Sequence, residues 1–346
     1  MNEKRTLAPE YQLGREVMSL WVPQAIHAAA ELGVADALAR GPLTAEALAA
    51  RLETHPGATG RLLGALAVLG IVQVNPEAKA FELTPLGECL RSDVPHSRRA
   101  WARLMGGPTV WQAWGKLADC VRTGAPALDA QTEVFEGMLS DPRASAVFHR
   151  AMLDGTSGQA PGIVACLDLT HVEQVVDVGG GYGALLAAVL DAQPEATGCV
   201  FDLEHARPGA EAWFSERALS ERARFVTGDF FVAPPPRADL LLLKSVLHDF
   251  DDERSLIILR RCREALEGGG RLVVVEAPAP EPDQALPGAF AWIVAFSDLN
   301  MLVNTGGRER TRAEYLALLE AAGFRVERVK PTASGFYSCF DCVRAG

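Results

Sequence analysis

The sequence predicts an α/β protein: a Rossmann-like, mostly parallel sheet with a C-terminal antiparallel strand, preceded by a helical, winged-helix-like region. Three observations carry this. From residue 174 onward, strand and helix patterns alternate, as they do in a sheet layered by helices. The last two strand candidates, Phe324–Val329 and Phe336–Val343, are joined by a turn containing Pro331 and Gly335, so the final strand runs antiparallel. The first hundred residues read instead as three short helices and a hairpin.

In order along the chain, Leu32, Ala35 and Leu38 give Glu31–Arg40 a helical spacing, broken by Gly41-Pro42. Thr44 reads as the N-cap of a helix over Ala45–Arg51. Pro56-Gly57 opens a third helix, Ala58–Leu69, which Gly70 stops. Ile71–Val74 and Ala80–Leu83 flank the turn at Asn75-Pro76-Glu77 and form the hairpin. Residues 101–160 look helical and aromatic, with Trp101, Met105, Trp111, Trp114, Phe135, Met138, Phe148 and Met152 recurring. These side chains suit either core packing or the lining of a pocket for a flat apolar substrate. Strands are then expected at Gln174–Val178, Cys199–Asp202, Ala223–Thr227, Asp239–Leu243 and Arg271–Glu276. Helices are expected at Ala184–Ala192, Ala206–Glu216, Asp252–Leu266 and Arg312–Ala322. The domain boundaries this implies are 1–100, 101–160 and 161–346.

Composition narrows the function classes. Apolar residues make up 49% of the 346, enough for a sizeable core. The net charge of −11 disfavours a nucleic-acid backbone or an anionic membrane as partner. A winged helix still raises DNA binding. The third helix carries only Arg61, however, and residues 1–100 hold ten Lys and Arg against eleven Asp and Glu. No apolar run approaches a membrane span, and Met1–Arg15 has no signal-peptide core, so the cytoplasm is the expected compartment. Seven scattered cysteines fit reduced thiols, and the lone Cys339-x-x-Cys342 reads as strand positions.

The turn Asp177-Val178-Gly179-Gly180-Gly181-Tyr182-Gly183 follows a strand and precedes a helix, the setting of a nucleotide-cofactor loop. It aligns loosely to the dinucleotide pattern through Gly179, Gly181 and Ala184, which suggests NAD. Three carboxylates tilt the balance. Asp177 lies inside the strand, Asp202 ends the second strand where it can bind ribose hydroxyls, and Asp229 follows the third where it can accept from an adenine amino group. Carboxylates suit a cofactor without phosphates, and S-adenosylmethionine is one. At the end of the fourth strand, His248 in Lys244-Ser245-Val246-Leu247-His248-Asp249 is a candidate base. Glu276 and Glu309 are candidates to orient it. Asp249, Asp251 and Asp252 read as helix caps and dipole partners rather than metal ligands, and no metal is expected.

Taken together, Val175–Gly181, Gly228-Asp229-Phe230-Phe231, Val246–Asp249, Asp298–Leu302 and Gly306–Thr311 resemble the small-molecule O-methyltransferases shared by plants and actinobacterial natural-product pathways. The resemblance covers nearly the whole chain. It implies an S-adenosylmethionine-dependent methyltransferase domain and an N-terminal domain that builds a homodimer. It also implies an aromatic acceptor, with phenolic polyketide-type metabolites expected. By the same resemblance Gly179, Asp202, Leu203, Asp229, Phe230 and Lys244 match cofactor contacts, His248 the general base, and Glu276 and Glu309 the pair bracketing it. Phe148, Met152, Asn300 and Asn304 match acceptor-pocket positions. The chain departs from the family at Phe250, where Trp is usual, and at Glu204, where Pro is common. Some members hydroxylate or decarboxylate instead of methylating, which is the alternative activity.

Overall fold

The structure is a computed structural model that describes residues 8–127, 135, 141–266, 269–281 and 288–345. Met138, singled out above, lies outside the described residues. The chain divides into two compact units, Met1–Trp111 and Gln112–Gly346.

The first unit is helical with one hairpin. Its helices include Pro9–Met18, Trp21–Leu32, Val34–Leu38, Ala45–Leu52 and Pro56–Val68. The single helix expected over Glu31–Arg40 is two. Gly33 adopts φ +73° and its N–H closes Trp21–Leu32 on the Ala29 carbonyl, after which Val34–Leu38 starts in a new direction. Ala35 and Leu38 are buried as the spacing requires, while Leu32 is 42% exposed. Thr44 caps its helix as expected, accepting from the Ala47 N–H at 3.2 Å. His55 caps the next one through Nδ1, which moves its start back to Pro56. Strands β1 (Val72–Asn75) and β2 (Ala80–Leu83) pair antiparallel around a turn held by Asn75 Oδ1, which accepts from Glu77 and Ala78. Leu48, Leu63 and Leu66 centre the core of this unit.

The second unit carries a seven-stranded sheet. Its strands are β3 (Gln174–Val178), β4 (Thr197–Asp202), β5 (Ala223–Thr227), β6 (Leu240–Lys244), β7 (Arg271–Glu276), β8 (Phe324–Pro331) and β9 (Ser338–Arg344). The order is β5-β4-β3-β6-β7-β9-β8, with β3 to β7 parallel and β9 antiparallel to both its neighbours. Leu240 to Leu243 are all fully buried, as an apolar run in a strand covered on both faces should be. The helices Ala184–Ala192, Arg207–Glu216, Asp252–Ala265 and Arg312–Ala321 fall where the alternation placed them. Cys339 and Cys342 are free, buried positions of β9. Two long helices, Pro142–Val164 and Gly288–Asn304, complete the unit.

The strand order fixes where a ligand can bind. The chain proceeds from β3 outward through β4 and β5, then returns to place β6 on the other side of β3. The carboxyl ends of β3 and β6 therefore flank the topological switch point, where α/β sheets form their ligand crevice. Among the described residues no helix is long and apolar enough to cross a membrane.

Candidate active site

The β3 turn is built on left-handed glycines. Gly179, Gly181 and Gly183 have φ of +67°, +55° and +79°. A Cβ on Gly179 would lie 2.9 Å from Val246 Cγ2, so the β3 turn and the β6 turn touch there. Asp177 is buried beneath the turn and accepts from the Leu186 N–H at 3.3 Å. Burial pushes its carboxyl up to about 7. At the end of β4, Asp202 accepts from the Gly181 N–H and the Leu203 N–H, both at 2.7 Å. Burial raises Asp202 against the pull of those bonds. Each of its oxygens retains a second lone pair that can accept from a ligand hydroxyl. After β5, Asp229 uses Oδ1 to accept from the Phe231 N–H at 2.7 Å. Phe230 Cε1 lies 3.6 Å from a Cβ built on Gly179, which places its ring over the β3 turn.

The family departures pack without conflict. Phe250 is buried and meets the rings of Phe230 and Phe231 edge-on, at 6.0 and 5.1 Å. Glu204 pairs with Arg207 at 2.9 Å. Lys244, ending β6, sits over the Tyr337 ring at 4.8 Å and donates to Ser245 Oγ.

His248 follows β6 on a one-turn 3-10 helix, Leu247–Asp249. Ser245, with φ +52°, bends the chain from the strand into that turn. His248 Nδ1 lies 3.2 Å from Glu309 Oε1 and 3.9 Å from Glu276 Oε2. Glu276 is fully buried, and its other oxygen accepts from the Val246 and Leu247 N–H groups at 3.2 and 2.9 Å. One carboxylate thus fixes the backbone of the turn and faces its histidine. Burial alone pushes the His248 ring down, but Glu276, Asp249 and Glu309 outweigh it and raise the ring to about 10. Burial lifts Glu276 to about 7 and Asp249 to about 6, in both cases against the pull of His248. Burial also acts upward on Glu309, yet its bonds from His248 and Ser297 hold it below the usual range.

Asp249, read from sequence as a cap or dipole partner, instead faces His248 Nε2 at 3.8 Å. Asp251 does cap its helix, accepting from the Arg254 N–H at 2.8 Å, and Asp252 pairs with Arg308 and Arg310. Among the described residues no group of three or more His, Cys, Asp or Glu is arranged to hold a metal.

Three supports of the His248 turn and its carboxylate escaped the sequence. Ser297 Oγ donates to Glu309 Oε1 at 2.6 Å. Arg310 is fully buried and donates to the carbonyls of Leu247 and Phe250 at 2.6 and 2.8 Å, clamping the His248 turn from both ends. Gly307 packs against the same turn so closely that a Cβ would lie 2.1 Å from the His248 carbonyl oxygen. Periodicity cannot find an arginine that points inward from a polar loop.

The four acceptor-pocket candidates form two pairs, each one helical turn apart. Phe148 and Met152 lie half-buried on Pro142–Val164, with Phe148 edge-on to Phe135 at 6.0 Å. Asn300 and Asn304 lie on Gly288–Asn304, where Asn300 Oδ1 accepts from both Asn304 Nδ2 and Trp114 Nε1 at 3.0 Å.

Comparison with known proteins decides the family. The model of the O-methyltransferase domain matches residues 114–325, and that of the O-methyltransferase dimerisation domain matches residues 16–93. The chain belongs to this O-methyltransferase family. The methyltransferase is 38% identical over 321 residues to the phenazine O-methyltransferase PhzM of Lysobacter antibioticus, covering 92% of each chain. It is 36% identical to the mitomycin biosynthesis 6-O-methyltransferase of Streptomyces lavendulae, covering 98% of this chain and 95% of the relative. A solved structure of an O-methyltransferase from neocarzinostatin biosynthesis, in complex with S-adenosylmethionine and 2-hydroxy-5-methyl naphthoic acid, superposes with a TM-score of 0.76 at 35% identity. That likeness covers 93% of this chain and 96% of the other. The methyltransferase uses S-adenosylmethionine, and the crevice fits it: two carboxylates with free lone pairs at successive strand ends, an aromatic ring, and a glycine turn open to close approach.

Proposed function

We propose that the methyltransferase methylates a phenolic hydroxyl of an aromatic natural product, of polyketide type, with His248 as general base. The observation that carries this reading is the part-buried His248–Glu309 contact at 3.2 Å, backed by Glu276, at the switch point beside the glycine turn. In this reading Gly179, Asp202, Leu203, Asp229, Phe230 and Lys244 hold the cofactor. Phe148, Met152, Asn300 and Asn304 line the acceptor pocket.

When bound, S-adenosylmethionine supplies an electrophilic methyl group on a positively charged sulfur. A phenol is a weak nucleophile, with a pKa near 10. His248 takes the phenolic proton as the oxygen bonds to the methyl carbon and the carbon–sulfur bond breaks. The imidazole must be neutral to do so, whereas its three carboxylate neighbours keep it protonated in the cofactor-free protein. A second positive charge in the crevice lowers the ring again. Glu309 and Glu276 then stabilise the imidazolium as it forms. General-base assistance of this kind supplies roughly 10²–10⁴-fold, and alignment of the reacting atoms supplies the remainder. Retention of the base and both carboxylates favours methyl transfer over hydroxylation or decarboxylation.

The dimerisation domain and the exposed apolar side chains of the first two helices support a homodimer formed through the N-terminal unit. Tyr11, Leu13, Val17 and Trp21 are each more than 60% exposed in the single chain. The acidic charge supports an enzyme without a nucleic-acid or anionic-membrane partner. The deciding experiment incubates the protein with methyl-labelled S-adenosylmethionine and a panel of hydroxylated aromatics, and locates the label by mass spectrometry. Label on a ring hydroxyl is the expected result. Cofactor binding without transfer to any oxygen would overturn the reading.

A further inference from the structure

A histidine pair stands beside the glycine turn, apart from His248. His149 comes from the helix Pro142–Val164, and His205 from the 3-10 turn Glu204–Ala206 after β4. The rings meet through His149 Nε2 and His205 Nδ1 at 2.8 Å. His149 is only 3% exposed and stacks on Tyr182, with centroids 5.0 Å apart. Burial, reinforced by His205, holds its ring down to about 3, so it stays neutral at working pH.

A neutral imidazole has one donor and one acceptor nitrogen. With Nε2–H donating to His205, the acceptor of His149 is Nδ1. Ser145 Oγ lies 3.4 Å from the same His205 nitrogen. Among the described residues, His149 Nδ1 has no hydrogen-bond partner, although it is buried. An unpaired buried acceptor is costly to keep. It faces the turn itself, since a Cβ on Gly181 would lie 3.2 Å from it. The Gly181 N–H cannot satisfy it, being given to Asp202.

The strand order says what arrives there. A cofactor with adenine at Asp229 after β5 and ribose at Asp202 after β4 carries its remaining chain over the β3 turn, toward β6. That chain bears the sulfur, which must face His248, and an α-amino acid end. Two carboxylates, the buried Asp177 and the half-buried Asp202, lie at the same turn and favour an ammonium there over a carboxylate.

We propose that His149 Nδ1 accepts a hydrogen bond from the α-ammonium group of S-adenosylmethionine, and that His205 fixes the required tautomer from the other side of the ring. The proposal rests on the cofactor reading of this crevice and deepens it. His149 is a cofactor-binding residue, and His205 a positioning residue.

The test compares two ligands by titration calorimetry on the whole protein. S-adenosylhomocysteine carries the amino acid end, and 5′-deoxy-5′-methylthioadenosine lacks it. His149→Phe keeps a ring against Tyr182 and removes the acceptor. It should weaken S-adenosylhomocysteine roughly 10- to 100-fold, the range for a hydrogen bond to a charged group, and leave methylthioadenosine nearly unchanged. His205→Phe, measured in the same way, should weaken S-adenosylhomocysteine selectively but less, and it decides the matter if the first variant does not fold. Equal weakening of both ligands would reduce the pair to a structural role and overturn the proposal, as would no weakening of either. If the unaltered protein binds neither ligand, the cofactor reading itself is wrong and the proposal goes with it.

Discussion

Replacing Glu309 by Gln removes a negative charge beside His248 while leaving most of the geometry in place. Gln keeps an oxygen that can accept from His248 Nδ1 and from Ser297 Oγ, which lie 3.2 and 2.6 Å from Glu309 Oε1. Two unit charges at that first distance interact by roughly 5 kcal/mol at an effective dielectric of 20. Much of this offsets the desolvation of the two groups, of which Glu309 is buried and His248 partly so. The net difference between a charge-assisted and a neutral hydrogen bond is about 1–2 kcal/mol, or roughly one pKa unit. His248, raised to about 10 by its three carboxylates, should therefore titrate roughly one unit lower in the variant. The assay is an NMR titration of the imidazole Cε1–H in cofactor-free protein. The same loss appears in turnover, because the imidazolium formed at the transition state loses the same stabilisation, for a fall of roughly 10-fold in kcat. A His248 that titrates near 6.5 in the unaltered protein, with no shift in Glu309→Gln, would refute the electrostatic argument.

Two further outcomes follow from the same site. Affinity for S-adenosylmethionine should strengthen as pH rises toward about 10, since His248 must give up a like charge. Asp249 and Glu276, ionising near 6 and 7, act in the same direction. S-adenosylhomocysteine, uncharged at sulfur, should show a flatter profile, and identical profiles by calorimetry would count against this. Arg310→Met leaves the Leu247 and Phe250 carbonyls without their donor, so thermal or denaturant unfolding should show a loss of about 2–4 kcal/mol. Its kcat should fall more than its KM changes, and a variant with unaltered stability and kcat would show that the clamp is idle.

The alternating half of the sequence was legible because its period survives burial. β3, β5 and β7 lie where the pattern set them, and the antiparallel end followed from one turn. The N-terminal half was less legible. Leu32, Ala35 and Leu38 have helical spacing on either side of Gly33, so the spacing alone could not show that the helix breaks there. Helix Gly288–Asn304 is not legible as an element, because it is apolar on most of its surface and offers no single face to detect. Within the site, His248, Glu276 and Glu309 could each be named from a strand end or a motif. Ser297, Arg310 and the His149–His205 contact could not, because each joins residues far apart in sequence through side-chain direction, which no periodicity records.

In the proposed mechanism His248 removes the proton from a phenol. The most direct measurement is single-turnover methyl transfer by the unaltered enzyme and His248→Ala, with S-adenosylmethionine saturating and a series of accepted phenols of decreasing pKa. The variant should lose roughly 10²–10⁴-fold on an ordinary phenol, a loss that shrinks steadily as the acceptor becomes acidic enough to ionise unaided. A loss of the same size across the whole series, or no loss on the least acidic phenol, would contradict that mechanism.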